Sequence, residues 1–196
     1  MATRKSVKLT IPQDLPPTVC GKKVNISWQL KVSLDIIKKR DIHTRHELVV
    51  SPISIAVPVL EKDYQDLTNK VTKSSDDGEL ILALASQSGI GSGTLRGRFE
   101  TIMKKTTSVD TIRVELEVKE SAGSMSFKNI ADAVILEGKT SLLGGGYRQW
   151  PFELKIPGVP PPTIKTEKSS VVWLVKGILD KRLRKDFKVI APIQMF

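Results

Sequence analysis

The fold class this 196-residue sequence predicts is an all-β antiparallel sandwich. Three observations carry the prediction. Apolar and polar residues alternate with period two along several stretches. Those stretches are short and are separated by Gly, Pro, Ser and Asp. One segment, residues 9–41, recurs at 154–186.

The alternation is clearest in two places. Val24, Ile26, Trp28, Leu30, Val32 and Leu34 alternate with Asn25, Ser27, Gln29, Lys31 and Ser33. Ile112, Val114, Leu116 and Val118 alternate with Arg113, Glu115, Glu117 and Lys119. Successive side chains of a strand point to opposite faces, so each run has one face to bury and one to wet. Sheets with one wet face are antiparallel as a rule. Further strands are expected at 7–11, 46–50, 80–85, 94–102, 133–137, 152–156, 171–179 and 187–190. Many short strands with turn residues between them indicate a sandwich.

One stretch breaks the pattern. Leu60, Tyr64, Leu67 and Val71 fall at helical spacing, after Pro58 and before the turn-like Ser74-Ser75-Asp76-Asp77-Gly78. Residues 58–78 are expected to form a linker that holds a short helix.

The repeat has a fixed offset of 145 residues and no gap. Leu9, Ile11, Pro12, Pro16, Pro17, Thr18, Lys23, Trp28, Lys31, Leu34, Asp35 and Asp41 meet identical residues, twelve matches in 33 positions. Chance would supply roughly two, so the match marks one structural unit used twice. Each part has a physical role. Ile-Pro ends a strand because proline cannot donate to the ladder. Pro-Pro then holds the chain extended as it crosses to the next strand. Trp28 and Trp173 sit mid-strand on the apolar face, in the same register. Basic tips follow: Lys38, Lys39 and Arg40 in one copy, Lys181, Arg182, Arg184 and Lys185 in the other.

The period predicts the domain plan. Residues 1–57 are expected to be the terminal strands of an incomplete first unit, and 79–196 a complete second one. On a period of 145, the first unit would need about 80 residues ahead of Met1. Three or four strands with an apolar stripe leave a face and edges exposed. They are expected to fold back onto the second unit or to complete a sandwich with another chain, so a homo-oligomer is expected.

The ordered motifs resemble the arrestin-like superfamily of tandem immunoglobulin-like sandwiches. Members include arrestins, arrestin-domain adaptors, the arrestin-shaped retromer subunit and sporulation-control proteins. Leu95-Arg96-Gly97-Arg98-Phe99 is similar to the family's early strand, and residues 112–116 to its central strand. Trp150-Pro151-Phe152-Glu153-Leu154-Lys155-Ile156-Pro157 is similar to its "PF-x-h-x-h-P" strand. Pro160-Pro161-Pro162-Thr163 resembles the crossing, and residues 171–180 the strand that follows. The resemblance covers about 65–196, with 9–50 as the tail of a preceding unit. It implies a non-catalytic scaffold or adaptor that binds protein partners or acidic membrane surfaces in trafficking or signalling. No Pro-Pro-x-Tyr sequence is present. No phosphate-sensing charge network can be placed in the sequence either, so receptor binding does not carry over, and a generic interaction role does.

Composition bounds the partners. Lys and Arg number 31 against 21 acids, a formal charge of +10. Such a balance favours anionic partners: an acidic or phosphorylated protein, an acidic lipid surface or nucleic acid. Aromatic residues are few, which weighs against stacking on single strands. Lys38, Lys39, Arg40, Lys181, Arg182, Arg184 and Lys185 are the candidate contacts. The bland alternative is a pair of solvated turns whose charge discourages aggregation. Cys20 is the single cysteine, so no intrachain disulfide forms and a cytoplasmic setting, with peripheral membrane contact, is expected.

Chemistry has little support in the sequence. Gly89-Ile90-Gly91-Ser92-Gly93 has the look of a nucleotide loop, but a strand pattern follows it where the dinucleotide fingerprint requires a helix. Gly144-Gly145-Gly146 reads as a loop. His43 and His46 flank a possible metal site with Asp41 or Glu47. Their odd spacing would send the rings to opposite faces of a strand, and an exposed loop is the expected setting. Cys20 reads as a small buried or loop thiol. No catalytic residue, metal ligand or cofactor is expected. A nucleic-acid-binding sandwich is the first rival reading, and a hydrolase or metal enzyme the second.

Overall fold

The computed structural model describes residues 6, 8–10, 15–34, 40, 42–51, 67, 69–87, 90, 93–181 and 184–196. Among them the chain is all β. Fifteen strands follow in order: β1 (Val19–Cys20), β2 (Asn25–Ile26), β3 (Trp28–Leu34), β4 (Ile42–Leu48), β5 (Asn69–Ser74), β6 (Gly78–Leu84), β7 (Gly93–Met103), β8 (Thr107–Val109), β9 (Thr111–Ala122), β10 (Met125–Glu137), β11 (Thr140–Leu142), β12 (Tyr147–Ile156), β13 (Ile164–Lys165), β14 (Ser169–Asp180) and β15 (Phe187–Ile193).

Two antiparallel sheets form the sandwich. One has the order β10-β9-β14, with β13 and β15 both on the far side of β14. The other has the order β12-β7-β6-β5. Period two decides what lies between them. Ile112, Val114, Leu116 and Val118 of β9 lie opposite Leu179, Gly177, Val175 and Trp173 of β14, and all of these face inward. Leu80, Leu82 and Leu84 of β6 and Leu95 and Phe99 of β7 meet them from the other sheet. Pro151 and Pro192 interrupt no central ladder, because β12 and β15 are edge strands.

Two glycines admit aromatic rings, Gly177 between the layers and Gly97 within one sheet. A Cβ on Gly177 would lie 2.5 Å from the Phe99 ring. A Cβ on Gly97 would lie 2.4 Å from the Phe152 ring and 2.7 Å from the Ala83 carbonyl. Both positions need the missing side chain for close packing, not for an unusual φ.

Several expectations need correction. Asn69–Ser74 is strand β5 at the sheet edge, so Val71 lies on a strand, and the expected linker ends before residue 69. Val71 has Lys70, Thr72 and Lys73 beside it, and an edge strand with one apolar residue shows little alternation. Residues 52–66, where the helix was expected to begin, lie outside those described. Residues 8–10 of the expected 7–11 strand are not in a strand. The histidines lie on β4, not in a loop. Cys20 is exposed on β1.

From Pro16 onward the repeat is realised in matching bonds. The indole N–H of Trp28 donates to the Pro16 carbonyl at 3.0 Å, and that of Trp173 to the Pro161 carbonyl at 2.8 Å. Thr18 Oγ1 accepts from Val50 N–H at 2.8 Å, as Thr163 Oγ1 does from Met195 N–H at 2.9 Å. Val19 pairs with Ile26 as Ile164 pairs with Val171. Trp28 pairs with Leu48 as Trp173 pairs with Ile193. Each correspondence has the same 145-residue offset. The structural repeat therefore runs to Val50 and Met195, beyond the last identical pair, Asp41 and Asp186.

Burial separates the copies. In the second, Trp173 is 1% exposed and Val175 and Leu179 are fully buried under the β12-β7-β6-β5 sheet. In the first, Val32 is 48% exposed and Leu34 and Ile42 are each 59% exposed. The hairpin β3–β4 has the right face, and among the described residues no sheet lies over it. It pairs with no third strand there either.

The first copy is tied to the sandwich at one turn. The N–H groups of Lys22, Lys23 and Val24 converge on the carboxylate of Glu120 in β9, at 3.1, 2.7 and 3.2 Å. Lys22 also lies over the Phe127 ring of β10, 4.9 Å from its centroid. Val19 and Val24 join the main core.

Candidate interaction surface

The basic tip of the second copy does not stand alone. The β5–β6 turn brings Asp77 to the same end of the sandwich, and the β7–β8 turn brings Lys104 and Lys105. The Asp77 carbonyl accepts the N–H of Lys104 at 2.9 Å and of Lys105 at 3.3 Å. Its carboxylate accepts from Lys181 Nζ at 2.6 Å. The N–H of Arg184 closes the tip on the Lys181 carbonyl at 3.3 Å. Three turns, two from hairpins and one that joins β7 to β8, thus meet around one aspartate.

The electrostatics of this end follow from that contact. The hydrogen bond and charge of Lys181 hold Asp77 below the usual carboxylate value, and the charges of Lys105 and Arg184 lower it further. Lys181 is buried and lies 5.3 Å from the centroid of the Phe187 ring. It is a structural cation and not a solvated tip residue, which corrects the expectation for that position. Arg184 and Lys185 are exposed, as are Lys104 and Lys105. Among the described residues no carboxylate pairs with any of these four. Lys38, Lys39 and Arg182 lie outside the described residues. Arg40 is exposed.

Lys104 and Lys105 were not singled out by the sequence. They sit next to each other before Thr106-Thr107, with no counterpart in the repeat. The Lys38–Arg40 and Lys181–Arg184 clusters attracted notice only because they repeat. The signal that was available for Lys104 and Lys105 was the turn between two strand patterns.

Elsewhere several charges are engaged in pairs. Arg113 bridges Glu115 and Asp180 on the outer face, each at 2.8 Å. Burial alone would lower the Arg113 pKa, and its two carboxylate partners raise it above its ordinary value. Lys176 pairs with Glu117. Arg98 pairs with Glu100 at 2.8 Å, and Glu100 also accepts from the Tyr147 hydroxyl at 2.9 Å. Burial first, and then Glu100, raise the Tyr147 pKa.

Among the described residues no group of three His, Cys, Asp or Glu side chains is placed to hold a metal. His43 and His46 stand on opposite faces of β4, across from Ser33 and Leu30. His43 Nδ1 lies 3.0 Å from Ser33 Oγ. The glycine-rich stretch leads through Gly93 into strand β7, so no helix N-terminus is there to receive a phosphate. Among the described residues no helix is long and apolar enough to cross a membrane.

Comparison with solved structures places this geometry. The chain is similar to the crystal structure of Spo0M, a sporulation control protein from Bacillus subtilis, with a TM-score of 0.53 at 15% sequence identity. The fold is arrestin-like. The match covers 62% of this chain and 50% of that one, so this chain spans half the length of the structure it matches. No protein-family model matches the sequence. No curated protein matches it either. A likeness at this identity carries the architecture and leaves the binding surface to be argued from the residues.

Proposed function

We propose that this chain is a non-catalytic scaffold, an interaction module that holds an acidic segment of a partner protein at the basic end of its sandwich. The observation that carries the reading is the meeting of three turns at Asp77. It presents Lys104, Lys105, Arg184 and Lys185 together, exposed and without carboxylate partners among the described residues. Backbone hydrogen bonds and the buried Lys181 fix the turns, so an acidic ligand meets charges that are already positioned. The arrestin-like fold supports a scaffold or regulatory role by analogy. The net charge of +10 supports an anionic partner.

The test replaces Lys104, Lys105, Arg184 and Lys185 together with serine and leaves Lys181 in place. Binding to an acidic peptide at low salt should fall at least tenfold, with the melting temperature unchanged. Binding in the parent should weaken steeply as salt rises. Unchanged peptide binding at low salt would remove the proposal. Selective binding to phosphatidylserine vesicles would move the site to a membrane, and a steep salt slope with duplex DNA alone would favour nucleic acid.

A further inference from the structure

The outer face of the sheet that holds β10, β9, β14 and β15 carries a pattern that packing does not explain. Cross-strand register gives it row by row. Ser126, Ser121, Ser170 and Lys165 form one row across β10, β9, β14 and β13. In the next row Lys128 lies directly across from Lys119, which lies across from Val172. Like charges in that position are destabilising. Beyond them, on the same face, Ile130 lies across from Glu117, and Ile190 across from Lys176. Ile130 is 52% exposed and Ile190 46%.

The charges on this face divide by sign. Both acids in these rows are buried and paired, Glu115 with Arg113 and Glu117 with Lys176. Among the described residues no carboxylate pairs with Lys119, Lys128 or Lys165. Every unpaired charge in the rows is therefore positive. Glu167 lies in the β13–β14 turn, beyond the last row and beside the exposed Lys168.

This chemistry narrows what the face can meet. A second copy would set lysine against lysine. Nucleic acid makes no use of exposed isoleucines. Specific protein interfaces favour aromatic residues and arginine over lysine and serine. Arg113, the arginine of these rows, is already held by Glu115 and Asp180, and no aromatic side chain stands in them. A bilayer with acidic lipids requires only sign and a broad face. Its mobile anions meet lysines, and its interfacial layer takes apolar side chains. A sheet sets such groups side by side, with strands about 4.8 Å apart.

We infer that this sheet face is a membrane-contact surface. Lys119, Lys128 and Lys165 meet acidic headgroups, and Ile130 and Ile190 enter the interfacial layer. The inference goes beyond the peptide-binding reading and uses other residues. Lys119 and Lys128 lie beside the start of β14, whereas Arg184 and Lys185 follow its end. Either reading can fail while the other stands.

Cosedimentation of the full chain with vesicles is the test. Vesicles of phosphatidylcholine mixed with phosphatidylserine should bind it, those of phosphatidylcholine alone should not, and salt should weaken the binding. Lys119→Ser, Lys128→Ser and Lys165→Ser should each weaken it about fivefold. Lys128→Glu places an acid across from Lys119, so it should raise the melting temperature while it weakens vesicle binding. Ile130→Ser with Ile190→Ser should weaken binding and leave its salt dependence unchanged. Replacing Lys104, Lys105, Arg184 and Lys185 with serine should leave vesicle binding in place. No binding to the acidic vesicles, or equal binding to neutral ones, would overturn the inference. So would vesicle binding lost in that last variant and kept in the lysine variants, because the lipid would then sit at the basic end. Lysine variants that lose an acidic peptide but keep vesicles would make the face a protein site instead.

Discussion

The backbone N–H of Lys23 donates to Glu120 Oε2 at 2.7 Å, across 97 residues of chain. Lys22 and Val24 donate to the same carboxylate, which is 3% exposed. One acidic side chain thus satisfies three donors of a turn, and it joins the first copy of the repeat to the second unit.

Glu120→Gln should loosen this joint. The amide keeps one acceptor oxygen and turns a donor toward N–H groups that need an acceptor. A buried donor left unpaired costs about 2 kcal/mol. Amide exchange at 22–24 should accelerate, and urea unfolding should shift to lower concentration. The pH dependence has a definite sign. Burial pushes the Glu120 pKa up, but the hydrogen bonds from Lys23, Lys22 and Val24 outweigh it and hold the group below its ordinary 4.5. The stabilisation is therefore complete well above pH 4.5 and is lost as pH falls through the depressed folded value. Stability of the parent should drop along that acid limb, and Glu120→Gln should flatten it. An acid limb of equal depth in the variant would show that the joint does not depend on this carboxylate.

Gly177→Ala should be costly for a single methyl group. The added carbon would sit 2.5 Å from the Phe99 ring, in a core where Phe99 is fully buried. Overpacking of this kind costs about 1–3 kcal/mol. Phe99→Leu should relieve part of the clash, so the double variant should be less unstable than the sum of the two. Strict additivity in chemical denaturation would mean that the sheets are spaced by something else.

The two tryptophans offer a comparison within one chain. They share register in the repeat and an indole bond to a proline carbonyl. Trp173→Ala should cost about 3–5 kcal/mol, the usual range for a buried aromatic. Trp28→Ala should cost less than half as much, because its strand lacks the opposing sheet. Equal losses would indicate that the first hairpin is covered in solution.

Much of the fold was legible because period two is a local property. The run at 112–118 identified a strand and its buried face, and the run at 24–34 identified β2, β3 and an apolar face that is left partly exposed. Misreadings arose where that period failed. Strand β5 has one apolar residue, so Val71 reads as the end of the helical spacing that starts at Leu60, although it lies on a strand. Strand β10 changes register between Ile130 and Asp132, which breaks its alternation, and only its second half was expected. Strands β8 and β11 have three residues each, too few for any pattern. Of the candidate contacts, Arg184 and Lys185 were legible as a charged tip. Lys181 was read as their equal because its partner, Asp77, lies 104 residues away.

By itself the sequence determined that one segment is used twice and which faces its alternating strands present for burial. It could do so because alternation, proline placement and turn residues act between near neighbours. Only the tertiary structure decided which copy is covered, that the repeat extends to Val50 and Met195, and that Glu120 joins the halves. Side-chain alternation specifies that a face must be buried, not what buries it. The sheet over Trp173, the strand beside β14 and the carboxylate under Lys23 all come from distant parts of the chain.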